Sequence, residues 1–205
     1  MAKLVLLRHG QSLWNLENKF TGWVDVDLSE QGIVEAKRAG EILRNQGLTK
    51  WFKAHTSRLV RAQKTLDIVI AESGVKAPPI WTDSALNERH YGDLQGLDKD
   101  ELRKKYGDEQ VHIWRRSYDI PPPNGECLAD TAKRSLPYFK EYILPDVKAG
   151  KDVLVVAHGN SLRSIMMQLE GISREDIMNL NLDTGIPYIY EIDSNGKVLS
   201  KNILK

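Results

Sequence analysis

The chain has 205 residues, 41% hydrophobic and 28% charged, which suits one sizeable soluble core and is too short for two comfortable domains. With 29 Lys plus Arg against 28 Asp plus Glu the net charge is +1, so no global basic field exists for nucleic acid or an anionic membrane; anion binding must come from local clustering. Cys127 is the only cysteine, which excludes an intrachain disulfide and leaves any structural zinc site to His and carboxylates.

In chain order, residues 4–7 form a continuous apolar run, the pattern of a strand buried on both faces. The run is too short for the core of a secretory leader and no stretch approaches a membrane span, so a cytoplasmic location is expected. Ser29 predicts the cap of a helix whose apolar residues Val34, Ala36, Ala39, Ile42 and Leu43 recur at three- and four-residue spacing, ending near Gly47. Residues 51–56 predict a short strand. Residues 61–71 predict a helix with Leu66, Val69 and Ile70 inward and Gly74 as its stop, followed by a short strand at Ile80 and Trp81. Residues 98–106 and 109–116 read as two polar helices parted by Gly107. The run Pro121-Pro122-Pro123-Asn124-Gly125 forces an irregular loop. A helix over 131–147, kinked at Pro137, then precedes a second fully buried strand at 153–157 and a helix at 161–169. Two strands, 187–192 and 197–203, close the chain around a Ser194-Asn195-Gly196 turn. The alternation predicts one α/β domain over residues 1–205: a three-layer sandwich whose mostly parallel sheet is flanked by helices.

The two most apolar strands end alike. Leu7-Arg8-His9-Gly10-Gln11-Ser12-Leu13 follows the first, and Ala157-His158-Gly159-Asn160-Ser161-Leu162 follows the second. Ligands of open α/β sheets bind at the carboxyl ends of parallel strands. Neighbouring strands would therefore set His9 against His158 across one crevice, with glycines that let the backbone approach a ligand closely. One His-Gly pair is more often a strand cap; two matching copies favour chemistry. No HExxH, CxxC or GxxxxGK[ST] pattern is present, so neither a metal nor a nucleotide is expected to drive the reaction.

Leu7-Arg8-His9-Gly10 resembles the signature of the histidine phosphatase superfamily. Nearly the whole chain is similar to its cofactor-dependent phosphoglycerate mutase branch. The similarity includes Phe20-Thr21-Gly22-Trp23, Thr56-Ser57 with Arg61-Ala62, Asn87-Glu88-Arg89-His90-Tyr91-Gly92, Leu94-Gln95-Gly96-Leu97 and Trp114-Arg115-Arg116. The resemblance implies a glycolytic and gluconeogenic isomerase in which His9 carries a phosphoryl group, primed by 2,3-bisphosphoglycerate and without a metal. It implies that Arg8, Arg61 and His158 surround the moving group, and that their charge keeps His9 unprotonated. Glu88 would be the general acid and base, with a pKa raised by burial. Ser12, Asn15, Thr21, Gly22, Tyr91, Lys99, Arg115, Arg116, Gly159 and Asn160 would bind substrate. The implied partner is a small phosphorylated molecule rather than nucleic acid or membrane, and a homo-oligomer is compatible with the family. The stretch from Arg116 to Glu126 is shorter than in longer mutases, which implies a less shielded site. His55, His90 and His112 are expected to be structural or superficial, and the five tryptophans to be mostly packing residues.

Overall fold

The computed structural model describes residues 1–74 and 76–204. Its centre is a six-stranded sheet in which the expected buried runs lie side by side. β1 (Ala2–Arg8) pairs in parallel with β4 (Val153–Ala157), in a register that sets Leu4 against Val153 and Arg8 against Ala157. Outward from β4 come β2 (Lys53–Thr56) and β3 (Ile80–Thr82), both parallel to it. On the other side of β1, β5 (Pro187–Ile192) and β6 (Val198–Ile203) add an antiparallel hairpin, giving the order β3-β2-β4-β1-β5-β6.

Leu4, Val5, Leu6 and Leu7 are fully buried because each face of β1 meets a helical layer. Leu4 and Leu6 pack with Tyr138, Phe139, Ile143, Leu162, Ile165 and Met166. These residues come from α6 (Leu128–Tyr138), the segment after it, and α8 (Gly159–Glu170). Val5 and Leu7 pack with Ala39, Leu43, Leu66 and Val69 of α2 (Glu30–Asn45) and α3 (Val60–Ser73). Burial on both faces stabilises each such leucine or valine by about 1.5–3 kcal/mol, which is why the run carries no polar residue. α2 begins where expected: Ser29 Oγ accepts from Gly32 N at 3.1 Å. α3 stops at Gly74, whose φ of 69° supplies the left-handed cap.

A third, smaller cluster lies above the carboxyl ends of the strands. Phe20, Leu94, Leu102 and Val111 pack there beneath α4 (Lys99–Tyr106) and α5 (Asp108–Arg116). This cap brings α5's last residues, Arg115 and Arg116, over the sheet.

Several boundaries differ from the sequence expectation. Trp51 lies outside β2; it is buried against the α2–α3 side of the sheet. The helix expected from residue 131 starts at Leu128, and it does not run unbroken to 147. After Pro137 it loosens into a π turn at Phe139–Ile143 and resumes as α7 (Leu144–Lys148). Pro137 and Pro145 each lack the N–H that a regular turn requires, so the run re-forms with wider hydrogen bonds. α8 starts at Gly159, immediately after His158, two residues earlier than the apolar spacing alone suggests.

Candidate active site

The parallel pairing of β1 and β4 delivers both histidines to one place. His9 N donates to Ala157 O at 3.0 Å, and the two imidazole centroids lie 4.9 Å apart. His9 Nδ1 donates to the carbonyl of Gly10 at 2.6 Å, which leaves Nε2 as the ring atom with a free lone pair. Both rings are buried, and burial is the largest cause holding their pKa values well below the ordinary 6.5. Arg61 and Arg8 push His9 further in the same direction. The expected effect of positive neighbours is therefore real but secondary to desolvation. His158 is fully buried: Ser57 Oγ sits 2.6 Å from its Nε2.

Arg61 projects from the first turn of α3 and is 1% exposed. Its guanidinium donates to Gly22 O at 2.7 Å and Val24 O at 3.1 Å, and burial pulls its pKa down to about 10. Arg8 donates to Leu182 O at 2.7 Å and keeps a buried Nε without a partner.

Glu88 lies on the loop after a single 3-10 turn at Ser84–Leu86. Its Oε1 accepts from Arg89 N at 2.7 Å and from Asn160 N, in the first turn of α8, at 3.1 Å. A second tier holds this loop. Arg134 donates to the carbonyls of Ala85, Asn87 and Glu88 and is paired with Glu126 at 2.8 Å, while the Trp23 indole donates to Glu88 O.

Two contiguous lobes of about 110 Å³ and 120 Å³ share Arg8, Glu88, Tyr91 and Arg115 in their walls. The inner lobe adds His9, Asn15, Thr21, Gly22, Arg61 and Lys99. The outer lobe adds Arg116, Gly159, Asn160, Arg163, Asn181 and Leu182. The combined lining carries six cationic side chains and one acid, Glu88. In a chain of net charge +1, that concentration calls for a ligand with several negative charges. Burial, and after it crowding by like charges, acts on these cations: Lys99 falls to about 8 and Arg163 to about 9, and Arg115 and Arg116 are lowered as well.

Of the residues singled out from sequence, all but His158 and Ser12 line the lobes. Ser12 is the N-cap of α1 (Leu13–Leu16): its Oγ accepts from Asn15 N at 3.2 Å and its own N–H donates to Asn15 Oδ1 at 3.1 Å. It shapes Asn15 and does not face the lobes. His90 accepts from Gly92 N at 3.0 Å, His55 is wholly buried beside Tyr138, and His112 is exposed, as expected. Trp23 and Trp81 depart from the packing expectation, with 39% and 40% exposure.

Sequence reasoning missed Arg163, Asn181, Leu182 and the role of Arg134. Arg163 had a signal: a charge inside the apolar face of α8, between Leu162 and Ile165, needs a buried partner, and it donates to Asn160 Oδ1 at 2.8 Å. Asn181 had none, because it arrives from a loop far along the chain. Among the described residues there is no cluster of three metal-ligating side chains and no helix long and apolar enough to cross a membrane.

The Histidine phosphatase superfamily (branch 1) family matches residues 4–203. The chain is 56% identical over 201 residues to a 2,3-bisphosphoglycerate-dependent phosphoglycerate mutase of Xanthobacter autotrophicus, covering 98% of this chain and 97% of the relative. It is 57% identical over 198 residues to the enzyme of that name from Bradyrhizobium diazoefficiens, covering 97% and 95%. Among solved structures, a mycobacterial glucosyl-3-phosphoglycerate phosphatase superposes with a TM-score of 0.79 at 27% identity, covering 93% of this chain and 92% of that one. Fold, site and full-length similarity agree: the chain belongs to branch 1 of the histidine phosphatase superfamily, and within it to the 2,3-bisphosphoglycerate-dependent phosphoglycerate mutases.

Proposed function

We infer that the protein is a 2,3-bisphosphoglycerate-dependent phosphoglycerate mutase, an isomerase of glycolysis that interconverts 3-phosphoglycerate and 2-phosphoglycerate with His9 as phosphoryl carrier. The observation that carries this reading is the charge of the lobe away from His9. Arg116, Arg163 and Asn181 stand there, beyond the walls that both lobes share. A phosphatase needs cations only around the group it removes. A mutase must also grip the carboxylate and the second phosphate while the ligand turns.

The residues present fit 2,3-bisphosphoglycerate: six cations line the lobes, and the buried Arg8 Nε, Thr21 Oγ1 and Arg163 Nε have donor capacity without a protein partner. Arg8, Arg61, Lys99, Arg115 and Arg116 would hold it. When bound, it supplies the phosphoryl group that loads His9.

The chain's own groups then divide the work. His9 Nε2 is unprotonated and has its ring oriented by the Gly10 carbonyl, so it can attack phosphorus without prior proton loss. Arg8 and Arg61 neutralise charge on the phosphoryl oxygens as they spread in the transition state. Glu88, held by two backbone N–H groups, gives a proton to the departing substrate oxygen and takes one from the attacking hydroxyl.

Intact-mass measurement after incubation with 2,3-bisphosphoglycerate tests this reading. Wild type gains one phosphoryl group and His9→Ala gains none. In parallel, a coupled assay on 3-phosphoglycerate follows 2-phosphoglycerate and free phosphate. An adduct that persists in His9→Ala, or free phosphate as the main product, would overturn the reading.

A further inference from the structure

Arg134, on α6, turns its guanidinium onto one short stretch of chain. Nη1 faces the carbonyls of Ser84 at 3.3 Å, Ala85 at 3.0 Å and Asn87 at 2.8 Å, and Nη2 donates to Glu88 O at 2.8 Å. Nε and Nη2 also donate to the two carboxylate oxygens of Glu126, at 3.1 Å and 2.8 Å. Glu126 grips the far side of the same loop: its Oε2 accepts from His90 N at 2.9 Å, and its own N–H donates to His90 O at 2.7 Å. The ion pair thus brackets Glu88 from both directions along the chain. All three guanidinium nitrogens are engaged and neither partner borders the lobes, so the pair serves the loop and not a ligand.

One peptide bond links this clamp to the carboxyl. The group joining Glu88 to Arg89 is planar and trans, so its C=O and N–H point in opposite directions. Arg134 Nη2 and the Trp23 indole N–H both donate to that carbonyl, Glu88 O. Its other end, Arg89 N–H, donates at 2.7 Å to Glu88 Oε1. Pinning the carbonyl therefore aims the N–H at the carboxyl. Asn160 N is a second donor to Oε1, at 3.1 Å. With two N–H groups facing Oε1, the proton of the acid form belongs on Oε2, which has no hydrogen-bond partner among the described residues. Oε2 lies on the side of the site. A Cβ on Gly159 would stand 3.6 Å from it and 3.7 Å from Arg8 Nε, and Gly159, Arg8 and Glu88 all line the outer lobe.

We propose that Arg134 and Trp23 are positioning residues that lock the Glu88–Arg89 peptide and so present Glu88 Oε2 as the proton donor to the departing substrate oxygen. The inference rests on the reading of Glu88 as general acid and adds which groups aim it. During loading, the bond from His9 Nε2 to phosphorus forms, the bond from phosphorus to the donor's oxygen breaks, and that oxygen takes the Glu88 proton. An alkoxide leaves badly without the proton, whereas p-nitrophenolate, a weak base, leaves without it. Sensitivity to the leaving group therefore reports how well the acid is aimed. A general loss of folded protein lowers loading from both kinds of donor alike.

The test is single-turnover phosphorylation of His9 in the full-length enzyme, followed by intact mass, with saturating 2,3-bisphosphoglycerate and, separately, saturating p-nitrophenyl phosphate. The quantity read is the ratio of the first rate to the second. Glu88→Gln sets the full contribution of the acid and should lower the ratio on the order of 100-fold or more. Arg134→Met keeps a long side chain but removes its donors. It should lower the ratio on the order of 10- to 100-fold, since a misplacement of about 1 Å is enough. Trp23 is 39% exposed, so Trp23→Phe leaves the core untouched while removing the other donor to Glu88 O. It should move the ratio in the same direction by a smaller factor. If Glu88→Gln lowers the ratio and folded Arg134→Met does not, the proposal is overturned; should Arg134→Met fail to fold, an unchanged ratio in Trp23→Phe overturns it. Failure of the underlying reading looks different: the ratio is then unchanged in Glu88→Gln itself.

Discussion

Arg115 and Arg116 are adjacent at the end of α5, yet they face different surroundings. Arg115 borders both lobes, whereas Arg116 borders the outer one and is held by Leu180 O and Asn181 Oδ1, each at 3.1 Å. In sequence such a pair is usually a solvated surface charge; partial burial and a depressed pKa at both positions argue for a binding role. Losing a charge-assisted contact costs about 1.5–3 kcal/mol, or roughly one to two powers of ten in binding. Replacing both by Ala should therefore cripple mutase turnover on 3-phosphoglycerate. Loading of His9 by a small phosphoryl donor should be far less affected. Equal loss of both would assign the pair to the chemical step. Loss of neither would return them to the surface and favour a phosphatase. What sequence revealed at this scale was residue type and motif. Arg163 and Asn181 escaped it because a buried arginine acquires meaning only from the carbonyls and amides that fold around it.

At the scale of elements, the site depends on how closely the end of β1 meets the start of α2. A Cβ on Gly10 would lie 2.2 Å from Gly32 O, and one on Gly32 would lie 2.0 Å from Gln11 O. The two backbones touch, and Gln11 O accepts from Ser29 N at 2.9 Å across the seam. Gly10→Ala must separate them, at an overpacking cost of about 1–3 kcal/mol, and it drags His9 with it. Urea unfolding should show that loss together with a lower kcat. At Gly159 an added Cβ would stand 3.6 Å from Glu88 Oε2, an ordinary contact, so Gly159→Ala should lower activity with little change in unfolding midpoint. Equal destabilisation by the two substitutions would show that the seam is not tight. Periodicity located these elements well where one face is apolar, as in α2 and α3. It failed from residue 128 to 148, where two prolines force a change of helix type that no apolar spacing encodes.

For the whole molecule, three buried histidines shape the response to acid. Burial, the largest cause, and Lys53 together bring His55 down to about 4, and His9 and His158 are also depressed. Their folded pKa values lie below the unfolded value near 6.5, so acid protonates the unfolded chain first. Stability should hold above pH 6.5 and fall as pH drops below it, with the His55 contribution of about 3 kcal/mol spent by about pH 4. Urea unfolding at half-unit steps from pH 7 to pH 4.5 should show this slope, and His55→Gln should flatten it. The same slope in both proteins would remove His55 from the account.

The sequence by itself determined the α/β alternation, the two buried strands, the matched His-Gly ends and the family, because strand burial and reacting side chains leave local marks that one chain segment can carry. Only the tertiary structure decided which residues share the site. The β1–β4 register brings His9 to His158, the cap brings Arg115 and Arg116 over both, and Ser57, Arg134 and Arg163 earn their partners across separations of 101, 46 and 14 residues. Hydrogen bonds of that span depend on where the whole chain places two atoms, and no local pattern of residues records it.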